Sequence, residues 1–370
     1  MPPAAVIAFA EAPNVRRTAG TTNGVEMLVP IFREVFDQTG LTKSDIGFWC
    51  SGSSDYLAGR AFSFVSAVDA IGAVPPVMES HVEMDGAFAL YEAWVKVLTG
   101  EAEIALAYGF GKSSAGDLRR VLALQLDPYV VAPLWPDSVS IAALQARLGL
   151  DNNLWTKRAM AQVAARSRAA AVSNSRAQLA GNAAAGSGGL SRRASTDEAA
   201  DVDELLAAPF VADPLHAHDC APITDGAAVV VIAAADRARE LCERPAWITG
   251  FEHRIDSGSL GARDLTTAPS AAAAAVAAGV ADGAAVEVAE LHAPFTHQEL
   301  ILRSALGLPD SASISPSGGA LAGNPMFAAG LARIGHAARQ VMSGRASRAL
   351  GHATSGPALQ QNLVCVLEAR

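Results

Sequence analysis

Several features that would direct a chain outside the cell, into a membrane or onto nucleic acid are scarce in this 370-residue sequence. Cysteine occurs four times (Cys50, Cys220, Cys242, Cys365), never as a CxxC pair. That pattern suits free thiols in a reducing compartment. No apolar run reaches the roughly 18 residues of a membrane span. The opening "MPPAAVIAFAEAPNVRR" lacks a basic leader before its short apolar run, so no signal peptide is expected and a cytoplasmic protein is the default. Positive charge is also short. Lys and Arg number 28 against 37 Asp and Glu, a formal net charge of -9, which argues against nucleic acid or an anionic membrane as the main partner. Charged residues make up only 18% of the chain and hydrophobic ones 51%, so wholesale disorder is excluded and a large core is expected. The length exceeds what one core usually organises and predicts two or more packed units.

What is present is an alternation of strands and helices. "AAVIAFA" reads as a buried strand, and "VEMLVPIFREVFDQTG" as an amphipathic helix closed by Gly40. "DIGFWC" is the next strand. The run "HVEMDGAFALYEAWVKVLTG" is acidic at Glu83 and Asp85, then apolar almost all round, as in a buried helix. Strand "EIALAYGFG" follows. The pattern predicts α/β layers. Residues 116–204 break it and read as an insertion, with an Ala-rich helix from about Trp155 to Leu179 and a mobile Gly/Ser/Ala loop, "AGNAAAGSGGLSRRAST". Strand "AAVVVIAAA" restores the ladder.

The second part then repeats the first. Helix "PSAAAAAVAAG" ends at Gly279 as the first helix ends at Gly40, and strand "AVEVAEL" answers "DIGFWC". Gly100 to Tyr108 and Gly344 to His352 are equally spaced. A duplication with a pseudo-twofold core follows: residues 1–115 and 205–237 as one half, 116–204 inserted, and 238–370 as the other half. In such folds sites lie at strand C-terminal ends and helix N-termini. This places Glu83, His292, Asn324 and His352 around one cavity.

"DCAPITDGAAVVVI" (219–232), "ELHAPFTHQEL" (290–300) and "SPSGGALAGNPMFAAGLA" (315–332) resemble the thiolase superfamily, in particular its thiolase-like lipid-transfer branch, related to the sterol-carrier thiolases and including steroid side-chain aldolases. The resemblance spans nearly the whole chain. It implies a thiolase fold: two βαβαβαββ halves in a five-layered α/β/α/β/α core with a mid-chain loop domain. The family's "CATGSSAL" falls on "EMDGAFAL", so Glu83 stands where the nucleophilic cysteine would be, with Asp85 the alternative if the register slips. Asn324 replaces the histidine of "GHPLGATGLA", His352 replaces the second cysteine, and His292 matches. Met326, Gly318, Gly319 and Gly356, together with Asp85, are the implied substrate-binding positions. Family aldolases tend to carry tyrosines at His292 and near Met326, and neither is here.

A carboxylate gains little as an acyl acceptor, whereas carboxylate and imidazole move protons well. The expected chemistry is therefore retro-aldol cleavage of a 3-hydroxyacyl-CoA in lipid or steroid side-chain breakdown, with a CoA thioester as substrate and no tightly bound cofactor. Two alternatives stand beside it. One is a non-catalytic subunit paired with an active paralogue or an OB-fold/zinc-ribbon (DUF35-type) protein; the other is an acyl-CoA acyltransferase using Cys50 or another thiol. The resemblance also implies a homodimer or heterodimer formed through the sheet edge of the first half. Bland readings compete at each position: Asp85 and Asn324 as helix caps, Glu83 as a structural carboxylate. "HAHDC" (216–220) offers few, closely spaced ligands, so no metal is expected. "GFGKSS" lacks the glycine that a phosphate loop needs at Leu106. Arg192 and Arg193 are read as a solvated pair.

Overall fold

The structure is a computed structural model and describes residues 3–19, 22–58, 61–72, 77–179, 202–281 and 284–370. The Gly/Ser/Ala loop with Arg192 and Arg193 lies outside them. The first half runs β1 (Ala4–Glu11), α1 (Gly24–Thr39), β2 (Phe48–Gly52), α2 (Ser63–Ile71), β3 (Glu79–Val82), α3 (Gly86–Leu98), β4 (Ile104–Lys112). Helices α4 (Ser138–Asp151) and α5 (Lys157–Ala171) intervene before β5 (Ile223–Ala234). The second half runs β6 (Ala246–Ile255), α6 (Pro269–Ala277), β7 (Val288–Glu290), α7 (Thr296–Ala305), β8 (Ser313–Ile314), α8 (Ala329–Met342), β9 (Arg348–Ser355), β10 (Gln361–Glu368).

The repeat is exact in its pairing. The first half orders its strands β3-β2-β4-β5-β1, with parallel β3/β2/β4 and antiparallel β4/β5/β1. The second orders β8-β7-β9-β10-β6 with the same senses. A short antiparallel contact, Ala5 with Trp247 and Val6 with Ala246, joins the two five-stranded sets. The glycines paired in the sequence do the same job in both halves: Gly40 and Gly279 lie at φ 70°, Gly100 at 77° and Gly344 at 71°. Each is a left-handed exit that residues bearing a Cβ adopt at a cost.

Burial sorts the helices into layers. α3 and α8 share one apolar cluster with strands of both sets, so they form the middle layer. α1 and α2 cover the outer face of the first set, and α6 and α7 that of the second, where α4 and Met160 of α5 also pack. This is the five-layered α/β/α/β/α arrangement expected from the sequence. A helix between two sheets keeps little solvent face, here Glu92 of α3 and Arg339 of α8, and α8 meets the close packing with small residues. A Cβ on Gly335 would stand 2.2 Å from the Phe9 ring, and one on Gly330 2.6 Å from Ala353. In α3 the larger Tyr91 meets Phe251 of β6 edge-on, and Trp94 packs on the same ring at a tilt.

Two readings of element length change. The Ala-rich helix ends at Ala171, not near Leu179. Its last residue packs on Gly318, and the following Asn174 bonds the Ser317 carbonyl and Arg176 N–H, so tertiary contacts override Ala propensity. α8 starts at Ala329, because Asn324 and Pro325 form a short bridge parallel to Ile223–Thr224. Among the described residues no helix is long and apolar enough to cross a membrane.

Candidate active site

Two turns carry four of the candidates, Glu83, Asp85, Asn324 and Met326, and they touch. Residues 83–86 lead from β3 into α3; residues 324–328 lead into α8. The Gly86 N–H donates to the Phe327 carbonyl at 2.7 Å. Phe327 itself sits at φ 65°, in the left-handed region, where the family pattern has glycine. Residues with a Cβ hold that conformation only when surroundings enforce it. Here the surroundings are tight: a Cβ on Gly109 would stand 2.1 Å from the Phe327 oxygen, and one on Gly111 2.2 Å from the Met326 oxygen.

The two acids of the opening motif part company. Asp85 is buried, 4% exposed, and caps α3. Its Oδ1 accepts from Ala87 N (2.9 Å) and Leu331 N (2.8 Å), and its Oδ2 from Gly330 N (2.9 Å). One carboxylate thus closes the N-termini of both central helices, one from each half. Burial raises its pKa against the pull of those N–H groups and of Arg333. With both oxygens committed to backbone, Asp85 serves the fold and is not placed to contact substrate. Glu83, by contrast, is exposed, and its Oε1 accepts from Ser54 Oγ at 3.1 Å. It is the carboxylate of the pair that remains open to solvent.

His292, Asn324 and His352 are brought together from the ends of β7, the α8 entry and β9. His292 Nε2 lies 3.0 Å from Asn324 Oδ1, and the Thr354 N–H points at Nδ1 from 3.4 Å. The second contact needs a lone pair on Nδ1, so the proton sits on Nε2 and is donated to Asn324. Burial then holds the ring neutral, with the pKa lowered from 6.5 to about 4. The Asn324 amide Nδ2 keeps its donors without a partner among the described residues.

His352 is settled the same way. Asn362 Nδ2 donates to Ser270 Oγ (2.7 Å) and the Leu359 carbonyl (2.9 Å), so its Oδ1 faces His352 Nε2, 3.0 Å away, and accepts. The His352 proton is therefore on Nε2. Nδ1 carries an unpartnered lone pair in a fully buried ring, and desolvation lowers the pKa to about 3. His292 is held against the same strand, through the N–H of Thr354 two residues on, and charge on it would lower the His352 pKa further.

The remaining candidates lie around this core. Met326 is half-buried in the turn beside Asn324. Gly318 and Gly319 hold φ 96° and 63° and face α5 and Ser315, so their glycine character answers packing. Gly356 turns the chain between β9 and β10 against Gln360. Sequence reasoning missed Ser54, Thr354 and Asn362. Asn362 closes the amide run Gln360–Gln361–Asn362 before the apolar "LVCVL", and neither it nor Thr354 or Ser54 stands out in the sequence.

The thiols are not prepared for nucleophilic work. Cys50 is fully buried, and desolvation followed by Glu92 and Glu79 raises its pKa to about 12; Cys220 is likewise raised to about 12, by desolvation and then Asp219. Cys365 is buried and also raised by desolvation. A thiolate at neutral pH needs the opposite environment.

No protein-family model matches the chain. An acetyl-CoA acetyltransferase of Methanothermobacter thermautotrophicus is 26% identical over 285 residues, 70% of each chain. Among solved structures, an Ltp2-ChsH2(DUF35) aldolase aligns with a TM-score of 0.77 at 17% identity over 99% of this chain and 98% of that one. Human mitochondrial 3-ketoacyl-CoA thiolase aligns with a TM-score of 0.75 at 16% identity over 100% and 99%. With its duplicated halves, paired central helices and these matches, the chain has the thiolase fold and is similar in sequence to an acetyl-CoA acetyltransferase.

Proposed function

We propose that the protein acts on an acyl-CoA thioester and cleaves a carbon–carbon bond by proton transfer, as a retro-aldolase of 3-hydroxyacyl-CoA. The observation that carries this reading is the pair His292–Asn324. A neutral imidazole donates to the amide oxygen and leaves the amide N–H donors free at a helix entry. Donors aimed at a developing oxyanion supply the largest single contribution in such reactions, roughly 3 kcal/mol each. Asn324 is the donor to the thioester oxygen, and His292 positions it. Glu83, solvent-open at the α3 entry, takes the proton from the 3-hydroxyl as the C2–C3 bond breaks. The electron pair passes to the thioester enolate, which is then protonated at C2. His352, neutral and enclosed, backs His292. The substrate class proposed is a bulky lipid such as a shortened steroid side chain, as the sequence resemblance implies; an aldolase is among the structures of the same fold.

The test is turnover of a 3-hydroxyacyl-CoA to aldehyde or ketone plus the shortened acyl-CoA. Glu83→Gln and Asn324→Ala are each expected to lower kcat about a hundredfold, with KM changing far less. Rates unchanged in both would remove these residues from the mechanism.

A second reading is supported by the exposed Tyr129, Val130, Leu134 and Trp135 of the 116–204 segment and by the name of the aldolase relative, which couples it to a DUF35 protein. In that reading the chain completes its site only with an OB-fold/zinc-ribbon partner or a paralogue. Turnover by the purified chain alone would dispose of it. Pairing through the open edge of β3 is the proposed dimer contact in either case.

A further inference from the structure

We propose that His216, His218 and Asp219 form a structural site for a divalent ion of zinc type, independent of the catalytic reading above. On sequence alone the ligands of "HAHDC" are few and close; the fold gathers three of them into one buried cluster. One ligand atom from each residue lies within 4.8 Å of the others. Asp219 Oδ2 stands 3.1 Å from His216 Nδ1 and 3.7 Å from His218 Nε2. The two separations to Asp219 bracket the roughly 3.4 Å that two ligands keep around a tetrahedral zinc at 2.0–2.1 Å, while the His216 and His218 rings stack nearly parallel with centroids 4.8 Å apart, so one ring must turn for both lone pairs to meet on an ion. All three side chains are buried, at 3%, 7% and 1% exposure.

The independent observation is His218. Its Nε2 is enclosed and has no hydrogen-bond partner, with the Asp219 carboxylate too far to accept from it. A buried polar nitrogen left unpaired is destabilising, and a coordinated ion would satisfy it. His216 already has a partner in Asp219, so binding through Nδ1 trades that hydrogen bond for coordination and moves the ring proton to Nε2. The Arg168 guanidinium is close enough to Asp219 to interact with it and is the main opposing charge.

The location gives the ion a purpose. Asp219 Oδ1 accepts from Thr296 Oγ1 at 2.6 Å, at the start of α7, and the Ala221 N–H donates to the Pro294 carbonyl at 2.7 Å. The segment 216–221 is thereby fastened to the loop running on from His292. An ion held by the first would stiffen the second.

The experiment uses the full chain stripped with a chelator, titrated calorimetrically with Zn²⁺, and Co²⁺ as a spectroscopic probe of tetrahedral N/O coordination. One equivalent per chain is expected, with the thermal midpoint rising on addition. His218→Gln, which removes no hydrogen bond, is expected to stay folded by circular dichroism and to weaken binding at least tenfold; His216→Gln serves as the second variant. Absence of stoichiometric binding, or binding undiminished in both variants, overturns the site and leaves Asp219 as a turn cap beside Arg168.

Discussion

Replacing Asp85 by alanine probes the joint between the two halves. The change removes the acceptor for three buried N–H groups, those of Ala87, Gly330 and Leu331. Each donor left unpaired costs about 1–3 kcal/mol. Relief of the burial penalty on the carboxylate offsets part of this, and water filling the small void offsets more. The net loss is expected near 3 kcal/mol or above, a large share of an ordinary stability of about 5–15 kcal/mol. Asp85→Asn keeps one acceptor oxygen, able to serve Ala87 and Leu331, but turns an amide N–H₂ toward Gly330 N, so it falls between wild type and alanine. The assay is urea unfolding at fixed protein concentration, with amide hydrogen exchange read at residues 87, 330 and 331. Protection is expected to fall in both helices together. A loss under about 1 kcal/mol in Asp85→Ala, or exchange rising in α3 alone, would refute the idea that this carboxylate ties the helices.

Two further predictions follow from burial. His292 and His352 have pKa values lowered from 6.5 to about 4 and about 3 by desolvation, so in both the neutral form is the native one. Below the unfolded value of 6.5 the denatured chain binds more protons than the native chain, so their stabilisation is full above that pH and is lost as pH falls through the folded values. Glu11, lowered despite desolvation by His336 and then Arg333 and Arg339, loses its contribution below about 4.5 in the same direction. His352→Gln is therefore expected to flatten the decline of the urea midpoint between pH 6.5 and 4, and an unchanged slope would count against the assignment. Incubation with acyl-CoA followed by intact mass measurement is expected to show no acyl adduct; a stable adduct on Cys50 would restore a thiol mechanism.

Much of the fold could be read in advance because duplication writes the same punctuation twice. Gly40 and Gly279, and Gly100 and Gly344, are left-handed exits in equivalent places, and their spacing needs no tertiary knowledge. The site was legible by position but not by role. Glu83 and Asp85 stand two residues apart with the same charge, and only the arrival of α8 decides which is buried. That contact joins residues 245 positions apart, beyond any local pattern. The tautomers of His292 and His352 depend on Thr354 and Asn362, whose side of the strand is set by sheet register. The helix over 157–171 ends short of its Ala-rich run for a related reason: alanine favours helix everywhere, and the stop comes from Gly318, on a distant segment.

The sharing of α3 and α8 between the sheets has a consequence for how the protein comes apart. Neither half owns a closed interior: strip one away and the other exposes an entire apolar helix together with half of a carboxylate clasp. Melting should therefore proceed in one concerted step across both repeats, and a chain severed between them should regain structure only when its two fragments meet.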